Sequence, residues 1–350
     1  MAEIKEDHSG PESRPIDRKI QAGLICSEGC PSIARIFGRP QRERIERRAR
    51  LLPLILSPQN FDQHREEAAR IEILFATWGV PPELLTPSRL PSLRAIFYGG
   101  GTIKSFGVPL LKRGIHIITA KAANALCVAQ FCLGQITLSC KGYFRNTRML
   151  RRAPAADSFR PFTGAGLYGE KIALLGMGAV ARELLTLLRP FQLQVMAVDP
   201  YLTTAEADKL GVRIVTIEEA FAEAYVISNH LPDLPELQGI IHGKLLASMR
   251  PDATFLNTGR GAQVREAELI EVARSRPDLT FLLDVTEPEP PPPGSLLYDL
   301  PNVQLSSHIA GALNDDLLRL GDCLIEEFER FCAGQPLRYA EKLADLDRIA

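Results

Sequence analysis

The chain has almost no net charge: 41 lysines and arginines stand against 42 aspartates and glutamates, leaving a formal −1. So even a balance presents no field that nucleic acid or anionic lipid would read, and neither is expected as a partner. The densest basic run, Arg42 to Arg50, is interrupted by Glu43 and Glu46 and reads as a solvated helix face. Metal-type cysteine spacing is also missing. Cys26, Cys30, Cys127, Cys132, Cys140, Cys323 and Cys332 form no CxxC pair, whereas a zinc site needs about four ligands. No metal is expected, and buried free thiols in a reducing cytosol account for them. The opening residues, Met1 to Lys19, have no apolar core of a secretory signal, which makes the cytoplasm the expected compartment. Nor is there an unpunctuated membrane span. Asn124, Gln130, Gln135 and Ser139 break up the longest greasy stretch, Ala122 to Cys140, which reads as a buried helix of a soluble protein. There is no internal repeat, and the one low-complexity segment is Pro288–Pro293, an extended loop with Glu289 embedded in it.

What is present suits two globular domains: 350 residues exceed one ordinary core, and the 45% apolar and 24% charged shares are those of a folded, soluble chain. Residues 1–18 read as a loose tail. Up to about residue 125, apolar runs at Ile20–Cys26, Ile71–Ala76, Leu93–Tyr98 and Ile115–Thr119 alternate with turns and with helical stretches at Pro40–Leu52 and Asn60–Arg70. This is the pattern of a small α/β domain. A helix apolar nearly all round follows, Asn124 to Arg145, then a Pro/Gly/Arg-rich connector over residues 149–169. From Lys171 the alternation is regular, with strands at Lys171–Leu175, Val195–Val198, Arg213–Val215, Tyr225–Ser228, Thr254–Leu256, Thr280–Leu283 and Val303–Leu305. It implies a doubly wound parallel sheet. A last helix from Gly311 to about Phe331 is expected to return to the first domain. The expected division is therefore 19–125 plus 316–350 for one domain and 126–315 for the other.

Ligands of open parallel sheets bind beyond the carboxyl ends of the strands. Here those ends carry Gly176-Met177-Gly178-Ala179-Val180-Ala181, then Asp199, His230, Asn257-Thr258-Gly259-Arg260, Asp284 and His308 in turn. Gly176 permits a tight turn and Gly178 lets the backbone approach a pyrophosphate at a helix N-terminus, with Ala181 in the third position of the fingerprint. Asp199, about 20 residues on, suits a ribose diol and would repel a 2′-phosphate, which favours NAD over NADP. Taken singly, each residue has an ordinary structural explanation; the set at one edge does not. Reducing a 2-oxo acid requires a hydride donor, a proton donor, a positive group on the carbonyl and an anchor for the carboxylate. His308 supplies the proton, Glu289 holds the imidazole, Arg260 offers a fixed fork, and Gly99–Gly101 offer bare N–H groups to the carboxylate.

At these residues the sequence resembles the D-isomer-specific 2-hydroxyacid dehydrogenase family, sharply from about Gly169 to Gly311 and more faintly before. Asn257-Thr258-Gly259-Arg260-Gly261 looks like the family's substrate-binding NTxRG segment. Asp284 to Pro290 looks like its DVxxxEP segment, in which the Asp faces the nicotinamide and Glu289 partners the catalytic His. His308-Ile309-Ala310-Gly311 matches the HIxG segment, His230-Leu231-Pro232 the cofactor-lining HLP, and Trp78-Gly79 with Gly99–Gly101 substrate-domain landmarks. The resemblance implies a Rossmann-type cofactor domain inserted into a smaller flavodoxin-like substrate domain. NAD would lie along Gly176, Gly178, Ala179, Val180, Asp199, His230, Pro232, Thr258, Gly259, Asp284, His308 and Ala310. A small 2-oxo or 2-hydroxy acid would lie on Gly100, Gly101 and Arg260, with Arg260, Glu289 and His308 as the catalytic set. It also implies a homodimer. Glu289 argues against the formate-dehydrogenase branch, in which Gln partners the His. Two rivals share the scaffold: a phosphonate or sugar-acid dehydrogenase, and an NAD-sensing corepressor that recruits peptides.

Overall fold

A computed structural model describes residues 19–27, 29–152 and 164–344; the expected tail, part of the connector and the last residues of the chain lie outside it. Two parallel sheets organise the chain. The first contains β1 (Ile20–Ile25), β2 (Ala49–Leu56), β3 (Ile73–Ala76), β4 (Ala95–Tyr98) and β5 (His116–Thr119) in the order β2-β1-β3-β4-β5, the flavodoxin-like arrangement. The second contains β6 (Lys171–Leu175), β7 (Gln194–Val198), β8 (Arg213–Ile214), β9 (Val226–Asn229), β10 (Thr254–Asn257), β11 (Thr280–Leu283) and β12 (Val303–Leu305). Its order, β12-β11-β10-β9-β6-β7-β8, reverses direction between β6 and β9, the switch point where doubly wound sheets bind ligands.

The inner strands β3, β4, β9, β10 and β11 are buried on both faces because helices cover both. Along β3, Ile73 and Phe75 enter one apolar cluster while Leu74 and Ala76 enter the opposite one. Along β6, Ile172 and Leu174 face one cluster while Ala173 and Leu175 face the other.

The helices are α1 (Pro31–Ile36), α2 (Arg39–Arg48), α3 (Arg65–Ala68), α4 (Gly107–Lys112), α5 (Lys121–Cys140), α6 (Tyr143–Arg152), α7 (Ala179–Leu188), α8 (Thr204–Leu210), α9 (Ile217–Glu223), α10 (Gly243–Ala247), α11 (Glu266–Ser275) and α12 (Asp316–Cys332). Reciprocal capping boxes, Thr203 with Glu206 and Thr216 with Glu219, start α8 and α9. On α12, Leu317, Leu320, Leu324, Ile325 and Phe328 recur at helical spacing and join the core of the first sheet. α12 thus returns to the first sheet, as expected. Gly321 lets α12 approach α1 closely: a Cβ there would lie 1.9 Å from the Ile36 carbonyl oxygen.

α5 joins the two halves. Cys127 belongs to the core of the first sheet, while Val128, Cys132, Ile136 and Cys140 belong to that of the second. By length and mean hydropathy, 1.3, this helix could cross a bilayer; its place between two cores explains the apolar surface instead.

Three expected elements differ. The helix expected over Pro40–Leu52 ends at Arg48, and Ala49–Leu56 is the edge strand β2. Pro53 is tolerated there because an edge strand need not donate every N–H, and the pairing with β1 shifts register between Ala22 and Leu24. The helix expected over Asn60–Arg70 is a 3-10 turn, Phe61–His64, followed by the single turn α3. The helix expected over Asn124–Arg145 is two helices, parted where Gly142 takes a φ of +74°.

Candidate active site

Because every strand of the second sheet is parallel, the residues that follow them share one edge. β6 runs into Gly176, whose φ is +84° and whose N–H donates to the Val198 oxygen at 2.8 Å. A Cβ at this position would lie 2.8 Å from the His230 carbonyl oxygen, so only glycine fits. Gly178 caps α7, and nothing lies within 4 Å of where its Cβ would be. Among the described residues the N–H groups of Ala179 and Val180, in the first turn of α7, have no acceptor, and the clear space beside Gly178 suits the approach of a pyrophosphate. Ala181, the departure from a third glycine, is fully buried in the core shared by α5 and α7. The Asp199 carboxylate accepts from the Met177 N–H at 2.7 Å and the Tyr201 N–H at 2.8 Å, so it braces the glycine turn while keeping lone pairs for a ribose diol. The residues present fit a dinucleotide.

At β9 and β10 a buried amide network fixes the next two loops. Asn229 donates through Nδ2 to Asn257 Oδ1 at 2.9 Å and to Gln263 Oε1 at 2.7 Å. Gln263 Nε2 donates to the carbonyls of Leu231 and Pro232, at 3.1 and 2.7 Å. A Cβ on Gly259 would sit 2.8 Å from both Asn229 Nδ2 and Gln263 Oε1, so that glycine is demanded by the network. Asn257 Nδ2 donates to the Arg260 carbonyl at 3.2 Å, and the Arg260 N–H donates to Gln263 Oε1 at 3.2 Å. The main chain of Arg260 is therefore pinned, but its guanidinium is loosely held. Nη1 donates to the Gly259 carbonyl at 2.8 Å, Nε stands 3.9 Å from Asp233 Oδ2, and the side chain is 35% exposed. The His230 ring is within hydrogen-bonding distance of Ser228 Oγ, 2.9 Å, and Thr258 Oγ1, 3.5 Å. Burial pushes its pKa down to about 4, so it is neutral near pH 7.

After β11 and β12 the structure brings two of the expected catalytic groups into contact: His308 Nδ1 lies 2.7 Å from Glu289 Oε1. With an ionised carboxylate as acceptor, Nδ1 carries the proton and Nε2 is left to exchange one with a ligand. Asp284 holds the loop in place. Its carboxylate accepts from Ser306 Oγ at 2.6 Å and from the N–H groups of Ile309 and Ala310, both at 2.9 Å. Gly261 ties the arginine loop to the Glu289 loop, since a Cβ there would fall 2.0 Å from the Thr286 carbonyl carbon. Arg260 shares the sheet edge with His308 and Glu289 but contacts neither among the described residues; it faces Asp233 instead.

In the first sheet, a Cβ on Gly100 would meet the Tyr98 ring at 2.5 Å, whereas Gly101 borders open space. Among the described residues neither N–H has a protein acceptor, which leaves both for a ligand. Trp78 is 39% exposed beyond β3, and its carbonyl accepts from both Cys26 Sγ and Cys30 Sγ, at 3.5 and 3.2 Å. All seven cysteines are free; Cys26, Cys127, Cys132 and Cys140 are buried as expected, while Cys30, Cys323 and Cys332 are only half-buried. Asn229, Asp233, Gln263 and Ser306 escaped the sequence reading. Asn229 and Ser306 stand one and two residues before motif histidines, a usable signal; Asp233 carries none, because its partners Lys104 and Arg260 are remote in sequence, and Gln263 has only the nearby Arg260 N–H beside its remote partners Asn229, Leu231 and Pro232.

The model of the D-isomer specific 2-hydroxyacid dehydrogenase NAD binding domain matches residues 136–310, half of the chain. The chain is 27% identical over 236 residues to D-3-phosphoglycerate dehydrogenase of Archaeoglobus fulgidus, covering 67% of this chain and 44% of that one. It is 26% identical over 265 residues to the Bacillus subtilis protein of the same name, covering 73% and 48%. The chain thus spans about half the length of the curated relatives it matches. Among solved structures, a phosphoglycerate oxidoreductase from Rhizobium etli superposes with a TM-score of 0.74 at 21% identity, over 92% of this chain and 98% of that one. D-mandelate dehydrogenase from Rhodotorula graminis superposes with 0.74 at 18%, over 92% and 97%. These likenesses show the two-domain fold. With half of its length matched by that NAD-binding domain, the chain belongs to the D-isomer specific 2-hydroxyacid dehydrogenase family.

Proposed function

We propose that the protein is an NAD-dependent dehydrogenase that interconverts a small 2-oxo acid and the corresponding D-2-hydroxy acid. The observation that carries this reading is the 2.7 Å contact of His308 with Glu289, on the same strand edge as the glycine cradle of β6. The nicotinamide, bound along that edge, supplies or takes the hydride at C2. His308 Nε2 gives the carbonyl oxygen its proton during reduction and recovers it during oxidation, so atoms and charge balance as 2-oxo acid plus NADH plus H+ against 2-hydroxy acid plus NAD+. Glu289 holds the imidazole by Nδ1 and keeps Nε2 turned towards the substrate. Arg260, free to leave Asp233, takes the carboxylate and polarises the carbonyl, with Gly100 and Gly101 supplying N–H groups at the other end.

In this account residues 19–125 and 316–350 form the substrate domain and residues 126–315 the cofactor domain, in a cytoplasmic homodimer. Leu138, Tyr143, Met149 and Leu150, exposed by 38–51% on α5 and α6, support a covering partner. The names of the curated relatives favour a substrate in the size range of a phosphoglycerate. A screen of NADH consumption against 2-oxo acids, with chiral analysis of the products, tests the reading. D-hydroxy products are expected; L-products or an inert panel would overturn it.

A further inference from the structure

At the end of β1 the chain turns and brings two thiols together. Cys26 is the first residue after the strand and is 1% exposed. Gly29 takes a φ of +76°, a conformation that a side chain would resist, and Cys30, the residue preceding α1, returns to the strand end. Both sulfurs meet on one atom: Cys26 Sγ and Cys30 Sγ donate to the Trp78 carbonyl oxygen at 3.5 and 3.2 Å. Among the described residues that oxygen has no other donor. Ser32 Oγ lies 3.1 Å from Cys30 Sγ.

The two thiols are unlike. Cys26 is sealed in the core of the first sheet, whereas Cys30 is half-buried and within reach of solvent. Burial, and then the hydrogen bond with Cys30, push the Cys26 pKa up to about 12. Burial raises Cys30 as well, but hydrogen bonds from Cys26 and Ser32 outweigh it and bring this thiol below the ordinary 9.0. The other five behave in the opposite way: burial raises Cys127, Cys132, Cys140, Cys323 and Cys332. An accessible sulfur that readily becomes a thiolate, beside a protonated one that is sheltered, is what stepwise thiol oxidation needs.

We propose that Cys26 and Cys30 form a peroxide-reactive dithiol, with Cys30 as the attacking sulfur and Cys26 as the resolving one, and that its closure to a disulfide unfastens the Trp78 loop. The oxidant is a hydroperoxide. The Cys30 thiolate attacks the O–O bond and keeps one oxygen as a sulfenic acid; the other leaves, with a proton from solvent, as an alcohol, or as water from hydrogen peroxide. Cys26 then attacks the Cys30 sulfur: the S–S bond forms, the S–O bond breaks, and the oxygen departs as water with the Cys26 proton. Two electrons pass from the two sulfurs to the peroxide. A disulfide has no S–H, so the Trp78 carbonyl loses both donors at once. Because β1, β3 and β4 are parallel neighbours, the freed loop shares its sheet edge with Gly100 and Gly101.

Trp78 is the only tryptophan in the chain, so tryptophan emission reports on this loop alone. Cys26 and Cys30 also fall in one tryptic peptide, Ile20 to Arg35. The full-length protein is treated with equimolar hydrogen peroxide, quenched with iodoacetamide, and read by peptide mass and fluorescence. That peptide is expected unalkylated and two hydrogens lighter before any other cysteine reacts, with a change in Trp78 emission that dithiothreitol reverses. In Cys26→Ser the Cys30 sulfenic acid should persist and be trapped by dimedone, and Cys30→Ser should slow oxidation of the peptide at least tenfold. The parent alone gives the peptide map and the emission change, so the proposal is decided even if Cys26→Ser does not fold. Oxidation that starts at Cys323 or Cys332, the other half-buried thiols, overturns it. So does a dimedone adduct on Cys30 of the parent with no disulfide. A disulfide that leaves Trp78 emission unchanged overturns the release of the loop. No 2-oxo acid enters these measurements, so their outcome is separate from that of the dehydrogenase reading.

Discussion

The main-chain oxygen of Asp284 accepts the N–H of His308 at 3.0 Å, while the Asp284 carboxylate accepts the next two N–H groups along the chain, those of Ile309 and Ala310. His308 itself takes a φ of +56°, a region that non-glycine residues occupy at a cost of about 1–3 kcal/mol unless their surroundings hold them there. Asp284 is that support. The site therefore depends on a residue that touches neither Glu289 nor the reacting end of the imidazole.

Replacing Asp284 with Asn turns one of its oxygens into a donor facing an N–H. Asp284→Asn is expected to destabilise the fold by about 1–3 kcal/mol, the range for an unmet buried polar group. Turnover should fall by about 100-fold, as for a catalytic group displaced by an ångström. Thermal unfolding and kcat read the two effects, and unchanged values in both would contradict the role given to Asp284.

Asp199 braces the glycine turn through Met177 and Tyr201, and in the proposed function it would accept from a ribose diol. Loss of charge-assisted hydrogen bonds worth about 1.5–3 kcal/mol should weaken NADH binding by roughly 10- to 100-fold in Asp199→Ala and narrow the gap between NADH and NADPH. Fluorescence titration with both nucleotides measures this. A parent that binds NADPH as tightly as NADH would contradict the reading of Asp199.

His230 makes stability depend on pH in a defined window. Above its ordinary value of 6.5 the ring is neutral in both folded and unfolded chains. Below that value the unfolded chain takes up a proton that the folded one refuses until about 4, so stability falls as the pH drops from 6.5 to about 4. The full effect is on the order of 3 kcal/mol. His230→Gln should flatten the pH dependence of the unfolding temperature in this window. An unchanged slope would show that the ring titrates normally.

The homodimer is tested on α6. Tyr143→Glu combined with Met149→Glu places charges on side chains that are 51% and 46% exposed in the single chain. Light scattering after size exclusion should show a dimeric parent and a monomeric double variant. A monomeric parent would remove this part of the account.

The second sheet and its site were largely legible in the sequence, because short apolar strands alternate there with helices and each strand end carries its polar residue directly. Gly176, Asp199, His230, Arg260, Asp284 and His308 fall on one edge as a consequence of parallel topology alone. The first sheet was harder to read. β2 follows a charged helix without a turn and contains Pro53, so local pattern favoured a longer helix, and pairing with β1 decides otherwise. Gly142 looked like one more residue of a long apolar helix until its φ ended α5. The Asn229–Asn257–Gln263 network joins residues 28 and 34 positions apart, and no local spacing announces it. The same holds for Lys104 and Asp233, 129 positions apart.

The central claim is that the imidazole of His308, held by Glu289, moves the proton. His308→Gln in the holoenzyme tests it most directly, with turnover measured on the best 2-oxo acid beside the NADH dissociation constant. The account predicts that turnover falls by roughly 100- to 10,000-fold, the usual contribution of a general acid–base, while NADH binding changes by no more than a few-fold. Turnover within tenfold of the parent, or a loss explained wholly by failure to bind NADH, would contradict it.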